Sequence, residues 1–170
     1  MGTETLGRNI RPDGEKMTPD EITRVVREYL EKQPDTAAAY LFGSVVQGRM
    51  TERSDVDLAV IFTAGAGDKP ARFDRRLELE IALGELVHKT VQVVDFEAAS
   101  ISLRYQIRKH GQLIVDSDPK RRVMLEAAAI GQYLEMSPMY EFCASARLGR
   151  LCRGEGNCKT EKILDGERYG

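Results

Sequence analysis

Apolar positions recur along this chain at two spacings, and they divide it into alternating helices and strands. From Thr18 to Gln33, the residues Ile22, Val25, Val26, Tyr29 and Leu30 fall on one face at helical spacing. Thr18 is placed to N-cap this helix, Pro19 suits its first turn, and Glu21 completes a capping box. Pro34 and Asp35 end it. "TAAAYLF" predicts a strand from about Thr36 to Phe42, broken by Gly43, and "SVVQGRM" predicts a short helix from Ser44. After the loop "TERS", "DVDLAVIF" predicts a second strand. Pro70 opens a helix to about His88, with Phe73, Leu77, Ile81 and Leu86 among its apolar positions. "TVQVVDF", rich in β-branched residues, predicts a third strand and "QLIVD" a fourth. Between them a helix from about Ala98 to His110 stops at Gly111. Asp118 and Pro119 open a helix to about Glu135, and Pro138 opens a last one to about Leu151.

Strands alternating with helices indicate an α/β (α+β) fold. Several connections are too short for right-handed crossovers throughout, so the expectation is a small mixed β-sheet flanked by helices. Residues 1–16 are polar and predict a disordered N-terminal segment, 17–151 a single domain, and 152–170 a flexible tail. In the last helix Met139, Tyr140, Phe142, Leu148 and Leu151 read as core positions by default, with a partner-facing surface as the alternative.

Charge narrows the function classes. The chain of 170 residues carries 25 basic and 27 acidic side chains, a net charge of -2, which argues against a general nucleic-acid binder. It leaves a single phosphate-bearing ligand open. No apolar run approaches a membrane span, and the N-terminus has no apolar core of a secretory signal, so the expected location is cytoplasmic. Cys143, Cys152 and Cys158 match neither a zinc site nor a disulfide framework and read as reduced thiols.

The candidate chemistry lies in "LFGSVVQGRMTERSDVDLAVIF", residues 41–62. Residues i and i+2 of a strand share a face, so Asp55 and Asp57 present two carboxylates side by side. Each raises the cost of ionising the other, and a divalent cation removes that conflict. Mg²⁺ is usually held by one or two carboxylates together with substrate phosphates. Alone, the pair reads more readily as a solvated strand entry. Gly43 and Ser44 change the balance. A glycine there lets the backbone approach a ligand closely, the free N–H groups of the turn can accept a phosphate, and Ser44 adds a hydroxyl. A phosphate cradle beside a carboxylate pair suits a nucleoside triphosphate.

Gly43-Ser44, ten residues, then Asp55-Val56-Asp57 forms G-S-x10-D-x-D. This stretch resembles the signature of the DNA polymerase beta-like nucleotidyltransferase superfamily. More narrowly, it is similar to the minimal nucleotidyltransferases of MntA type, antitoxins of HEPN/MNT toxin–antitoxin pairs. The resemblance covers roughly Thr36 to Tyr140. It implies the polymerase beta-like fold and Mg²⁺-dependent transfer of a nucleoside monophosphate to a hydroxyl. Asp55 and Asp57 match the family's catalytic metal ligands, and Gly43 and Ser44 its nucleotide-binding turn. For the MntA type the implied reaction moves AMP from ATP to a tyrosine of a HEPN-family toxin. No membrane and no direct nucleic-acid contact are implied.

The chain departs from the pattern at one position. Relatives carry a third carboxylate on a later strand, and the matching residue here is Gln92, within "TVQVVDF". Glutamine is no base; it offers a hydrogen bond or one neutral oxygen. Asp95 could replace the missing group only if its strand is bulged or ends early, and it reads equally as a helix cap. Gln47 stands where relatives often carry a basic residue, with Arg49 and Arg53 nearby. His88 and His110 sit at helix ends, where a cation complements the dipole. Two further readings stand beside the enzyme: a nucleotidyltransferase fold that neutralises its toxin by contact, and a nucleotidyltransferase acting on a small molecule.

Overall fold

A computed structural model describes residues 17–51 and 53–154. The segments 1–16 and 155–170 lie outside the described residues, and with them Cys158, the N-terminal segment and most of the expected tail. In chain order the elements are α1 (Pro19–Leu30), β1 (Thr36–Phe42), β2 (Val56–Phe62), α2 (Lys69–Val87), β3 (Val91–Asp95), α3 (Ile101–His110), β4 (Gln112–Asp116) and α4 (Pro119–Gly154). The described residues divide into two compact units, with the boundary between Gln132 and Tyr133. No helix among the described residues is long and apolar enough to cross a membrane.

The four strands form one mixed sheet in the order β3-β2-β1-β4. β1 runs antiparallel to both β2 and β4, and β2 is parallel to β3. Parallel neighbours need a crossover, which α2 supplies. Side chains alternate across the sheet and make two cores. On one face Val56, Leu58, Val60 and Phe62 pack with Ile22, Val26 and Leu30 of α1 and with Leu79, Leu83 and Val87 of α2. On the other, Ala38, Tyr40, Ala59 and Ile61 pack with Phe96, Ile107 of α3 and Ala129 of α4. There Tyr40 donates to buried Glu126, which also receives Arg108 at 2.8 Å and Arg122 at 3.1 Å, tying β1, α3 and α4 together. Burial, then the negative charge of Glu126, pushes the Tyr40 phenol well above its ordinary pKa, so it remains a donor.

The start of α1 follows the sequence closely. Thr18 caps α1 with its side chain on the Glu21 N–H, and Glu21 reaches back to the Thr18 N–H at 2.9 Å. Thr18→Ala removes this cap and is expected to lower stability by about 1 kcal/mol, read as a lower urea midpoint at unchanged slope. Ser100 caps α3, so that helix begins at Ile101 rather than near Ala98.

Several expectations are corrected. The stretch from Ser44 belongs to a run of turns, residues 43–48, and is not a short helix. Gly43 and Gly48 both take positive φ, 71° and 65°, which closes the run at each end before helical bonds can repeat. In α2 the sheet takes Leu79, Leu83 and Val87, while Phe73, Leu77, Ile81 and Leu86 stay exposed. Both sets recur at helical spacing, and only docking chooses between them. Beyond Asp118, a single helix runs from Pro119 to Gly154 with Pro138 inside it, where two helices were expected. Proline there removes one N–H donor without ending the helical run. Met139 and Phe142 are exposed, against the expectation of core. The side chains of Tyr140, Leu148, Leu151, Cys143 and Cys152 lie outside the described residues.

Candidate active site

The site forms where β1 ends and β2 begins. Phe42 pairs with Asp57 across the antiparallel ladder, so Gly43 follows directly over the Asp57 side chain. A Cβ at Gly43 would collide with Asp57 Oδ2 and come within 3.0 Å of its Cγ. Only glycine permits this approach, for that reason and for its φ of 71°. In the turn, the Gln47 N–H donates to the Gly43 carbonyl at 3.2 Å and the Arg49 N–H to the Ser44 carbonyl at 3.1 Å. The N–H groups of Ser44, Val45 and Val46 have no backbone partner among the described residues. Buried Val45 anchors the turn in the α1/α2 core, and Ser44 beside it is half-buried.

Asp55 is exposed and precedes β2 by one residue; Asp57 is half-buried at its start. Burial, and then the negative charge of Asp55, push the Asp57 carboxyl above the usual carboxylate range. The two aspartates therefore conflict electrostatically when no cation lies between them. The donors are hard oxygens, and Asp57 lies against a turn whose Ser44, Val45 and Val46 N–H groups have no backbone partner among the described residues. That donor set fits a divalent cation, which Asp55 and Asp57 would hold.

The loop leading into Asp55 is held by a residue the sequence did not single out. The Lys89 ammonium donates to the Thr51 carbonyl at 3.2 Å and to the Ser54 carbonyl at 3.4 Å. Thr51 and Ser54 also bond to each other, and the Val56 N–H donates to the Thr90 carbonyl at 2.9 Å. No sequence pattern marks Lys89, since its partners are backbone carbonyls far along the chain. Gln47, Arg49 and Arg53 are exposed. His88 occupies the left-handed C-cap of α2, and His110 ends α3 beside Arg108 and Lys109.

The later strand separates Gln92 from Asp95. β2 and β3 pair in regular parallel register, with Asp57 beside Gln92 and Val60 beside Asp95. Gln92 thus shares a face with Asp57 and is exposed. Asp95 points to the α1/α2 face, where Arg72 holds it at 2.9 Å. Its other carboxylate oxygen accepts the Glu97 N–H at 2.9 Å. The strand is neither bulged nor cut short before Asp95, so Asp95 stays away from Asp55 and Asp57. Among the described residues no group of three His, Cys, Asp or Glu side chains gathers as a metal site.

Residues 25–120 match the family described as polymerase beta, nucleotidyltransferase. The chain belongs to this family. The polymerase beta nucleotidyltransferase fold accounts for the four-stranded mixed sheet and for the turn between β1 and β2. The chain is 31% identical over 98 residues to the protein adenylyltransferase MntA of Shewanella oneidensis; the match takes in 58% of this chain and 65% of that relative. The chain thus spans slightly under two thirds of that relative's length. It shares the fold of a toxin–antitoxin crystal structure with AMP-PNP, at TM-score 0.59 and 24% identity, over 78% of this chain and 99% of that one. It also shares the fold of a structure of the tri-AMPylated Shewanella oneidensis HEPN toxin in complex with MNT antitoxin. There the TM-score is 0.56 at 21% identity, over 74% of this chain and 98% of that one.

Proposed function

We propose that this nucleotidyltransferase uses ATP and Mg²⁺ to transfer AMP to a tyrosine of a HEPN-family toxin, acting as its antitoxin in the cytoplasm. The observation that carries the reading is the packing of Gly43 on Asp57, which sets a phosphate-binding turn against a carboxylate pair. The likeness to an MntA protein adenylyltransferase and to toxin–antitoxin structures, one with AMP-PNP and one with an AMPylated toxin, supports the choice of nucleotide and partner.

Asp55 and Asp57 would hold Mg²⁺, which supplies charge neutralisation at the phosphates when bound. The Ser44 hydroxyl and the free N–H groups of the turn would hold the β- and γ-phosphates and orient the α-phosphorus. The tyrosine oxygen attacks that phosphorus, the bond to the bridging oxygen breaks, and pyrophosphate leaves. The phenolic proton passes to solvent, since Gln92 cannot take it.

The test is incubation of the chain with ATP labelled in the adenine, Mg²⁺ and the toxin encoded beside it. The toxin is expected to gain the mass of AMP on tyrosine, and Asp55→Asn is expected to abolish the gain. No label on the toxin with the unaltered chain would sink the reading.

Gln92 favours a second reading, in which the same fold neutralises its toxin by contact alone. That reading expects a stable complex whose protection survives the combined Asp55→Asn and Asp57→Asn changes. Loss of protection in the double variant, with the complex intact, would exclude it.

A further inference from the structure

We infer that the site takes a single divalent cation together with its nucleotide, and that Gln92 marks the place where a second is not held. The inference rests on the reading of Asp55, Asp57 and the Gly43-Ser44 turn as a nucleoside triphosphate site.

Asp57 and Gln92 are direct neighbours on adjacent parallel strands, so their side chains leave the same face roughly 4.8 Å apart. A carboxylate at this position would join the pair and help hold a second cation. The group present is a neutral amide. Asp55 and Asp57 supply two carboxylates, the number that usually holds one Mg²⁺ beside substrate phosphates. A second would meet only an amide oxygen on the protein side.

No other described acid fills the gap. Asp95, the one carboxylate of β3, lies on the opposite face and is committed to Arg72. Glu80, which reaches β3 from α2, accepts the Val93 N–H at 3.0 Å on the strand's outer edge. Val93 belongs to the α1/α2 core, so this contact also lies away from Gln92.

The consequence divides binding from chemistry. The turn and the two aspartates suffice to hold a nucleotide with its cation. The attacking hydroxyl lacks the cation that would lower its pKa and the carboxylate that would accept its proton, so transfer is slow relative to binding. Because Gln92 is exposed on an edge strand, Gln92→Asp adds the missing charge without disturbing either core.

The experiment counts metal. The full chain is dialysed against Mn²⁺ and a non-hydrolysable ATP analogue, and bound Mn²⁺ and analogue are measured per chain, with electron paramagnetic resonance reporting coupling between manganese ions. The unaltered chain is expected to bind one Mn²⁺ per analogue with an uncoupled spectrum. Gln92→Asp is expected to bind two with a coupled spectrum, and to transfer AMP at least ~10-fold faster. Two coupled Mn²⁺ in the unaltered chain, or one in both proteins, overturns the inference while leaving the nucleotide site standing. Failure of the unaltered chain to retain the analogue with saturating Mn²⁺ overturns the nucleotide reading and this inference together.

Discussion

Asp57→Asn is expected to raise the melting temperature at neutral pH while it abolishes AMP transfer. Both effects come from one carboxylate. Burial and the charge of Asp55 raise the Asp57 pKa in the folded protein above its unfolded value. The unfolded chain therefore releases this proton at lower pH than the folded one does. Between the two pKa values the folded state binds more protons, so stability falls as pH rises through that window. At neutral pH, above both values, the full penalty stands. Asparagine removes the titrating charge and with it the penalty.

The difference in melting temperature between Asp57→Asn and the unaltered chain, measured in chelator, should be positive at pH 7. It should shrink toward zero as pH falls below the unfolded aspartate value of ~3.9. A gain that persists unchanged into acid would mean that shape, not charge, stabilises the variant. Excess Mg²⁺ with nucleotide should reverse the order at pH 7, because only the unaltered chain binds them well. On activity, loss of one of two charged ligands removes several kcal/mol of transition-state stabilisation. That corresponds to ~10²-fold or more in rate. A carboxylate that weakens the fold and serves the site is a local cost of the chemistry.

Gly43→Ala is expected to weaken nucleotide binding at least ~10-fold, and Gly48→Ala is the comparison that gives this result its meaning. Both glycines have positive φ, 71° and 65°, so alanine at either position costs about 1–2 kcal/mol in backbone strain. They differ in their surroundings. A Cβ at Gly48 meets nothing within 4 Å, whereas one at Gly43 collides with the Asp57 carboxylate. Either the carboxylate rotates away from the turn or the turn lifts away from the carboxylate, and both separate the proposed phosphate cradle from the proposed cation ligands. Titration with a fluorescent ATP analogue and Mg²⁺ should show the loss for Gly43→Ala alone, while thermal melts show similar destabilisation for the two. Equal loss of binding in both variants would assign the effect to strain in the turn. Unchanged binding in Gly43→Ala would remove the turn from the site.

Much of this protein is legible without coordinates, for local reasons. The capping box at Thr18 and Glu21 and the stop at Gly111 depend on neighbours within one turn of helix. G-S-x10-D-x-D is legible because its two halves are joined by a single short connection, so sequence spacing stands in for spatial proximity. The short connections also exclude an all-parallel sheet, which is why a mixed sheet was expected and is found.

What the sequence by itself determined is therefore the order of the four strands along the chain, the fold class and the two halves of the candidate site. What only the tertiary structure decided is the choice between equivalent options. α2 carries two apolar stripes at the same spacing, and the sheet buried the one through Leu79 and left the one through Leu77 in water. Helical periodicity cannot say which stripe meets a partner until the partner is in place. Asp95 and Gln92 were both candidates for the third group until the register of β3 against β2 put Gln92 beside Asp57 and Asp95 beside Val60. A strand's alternation separates its own two faces but does not name them; pairing with a neighbour of known facing does. Lys89 reaches the loop before Asp55 through backbone carbonyls, which carry no side-chain signature. Local spacing is written in the chain, and facing is settled only by what packs against it.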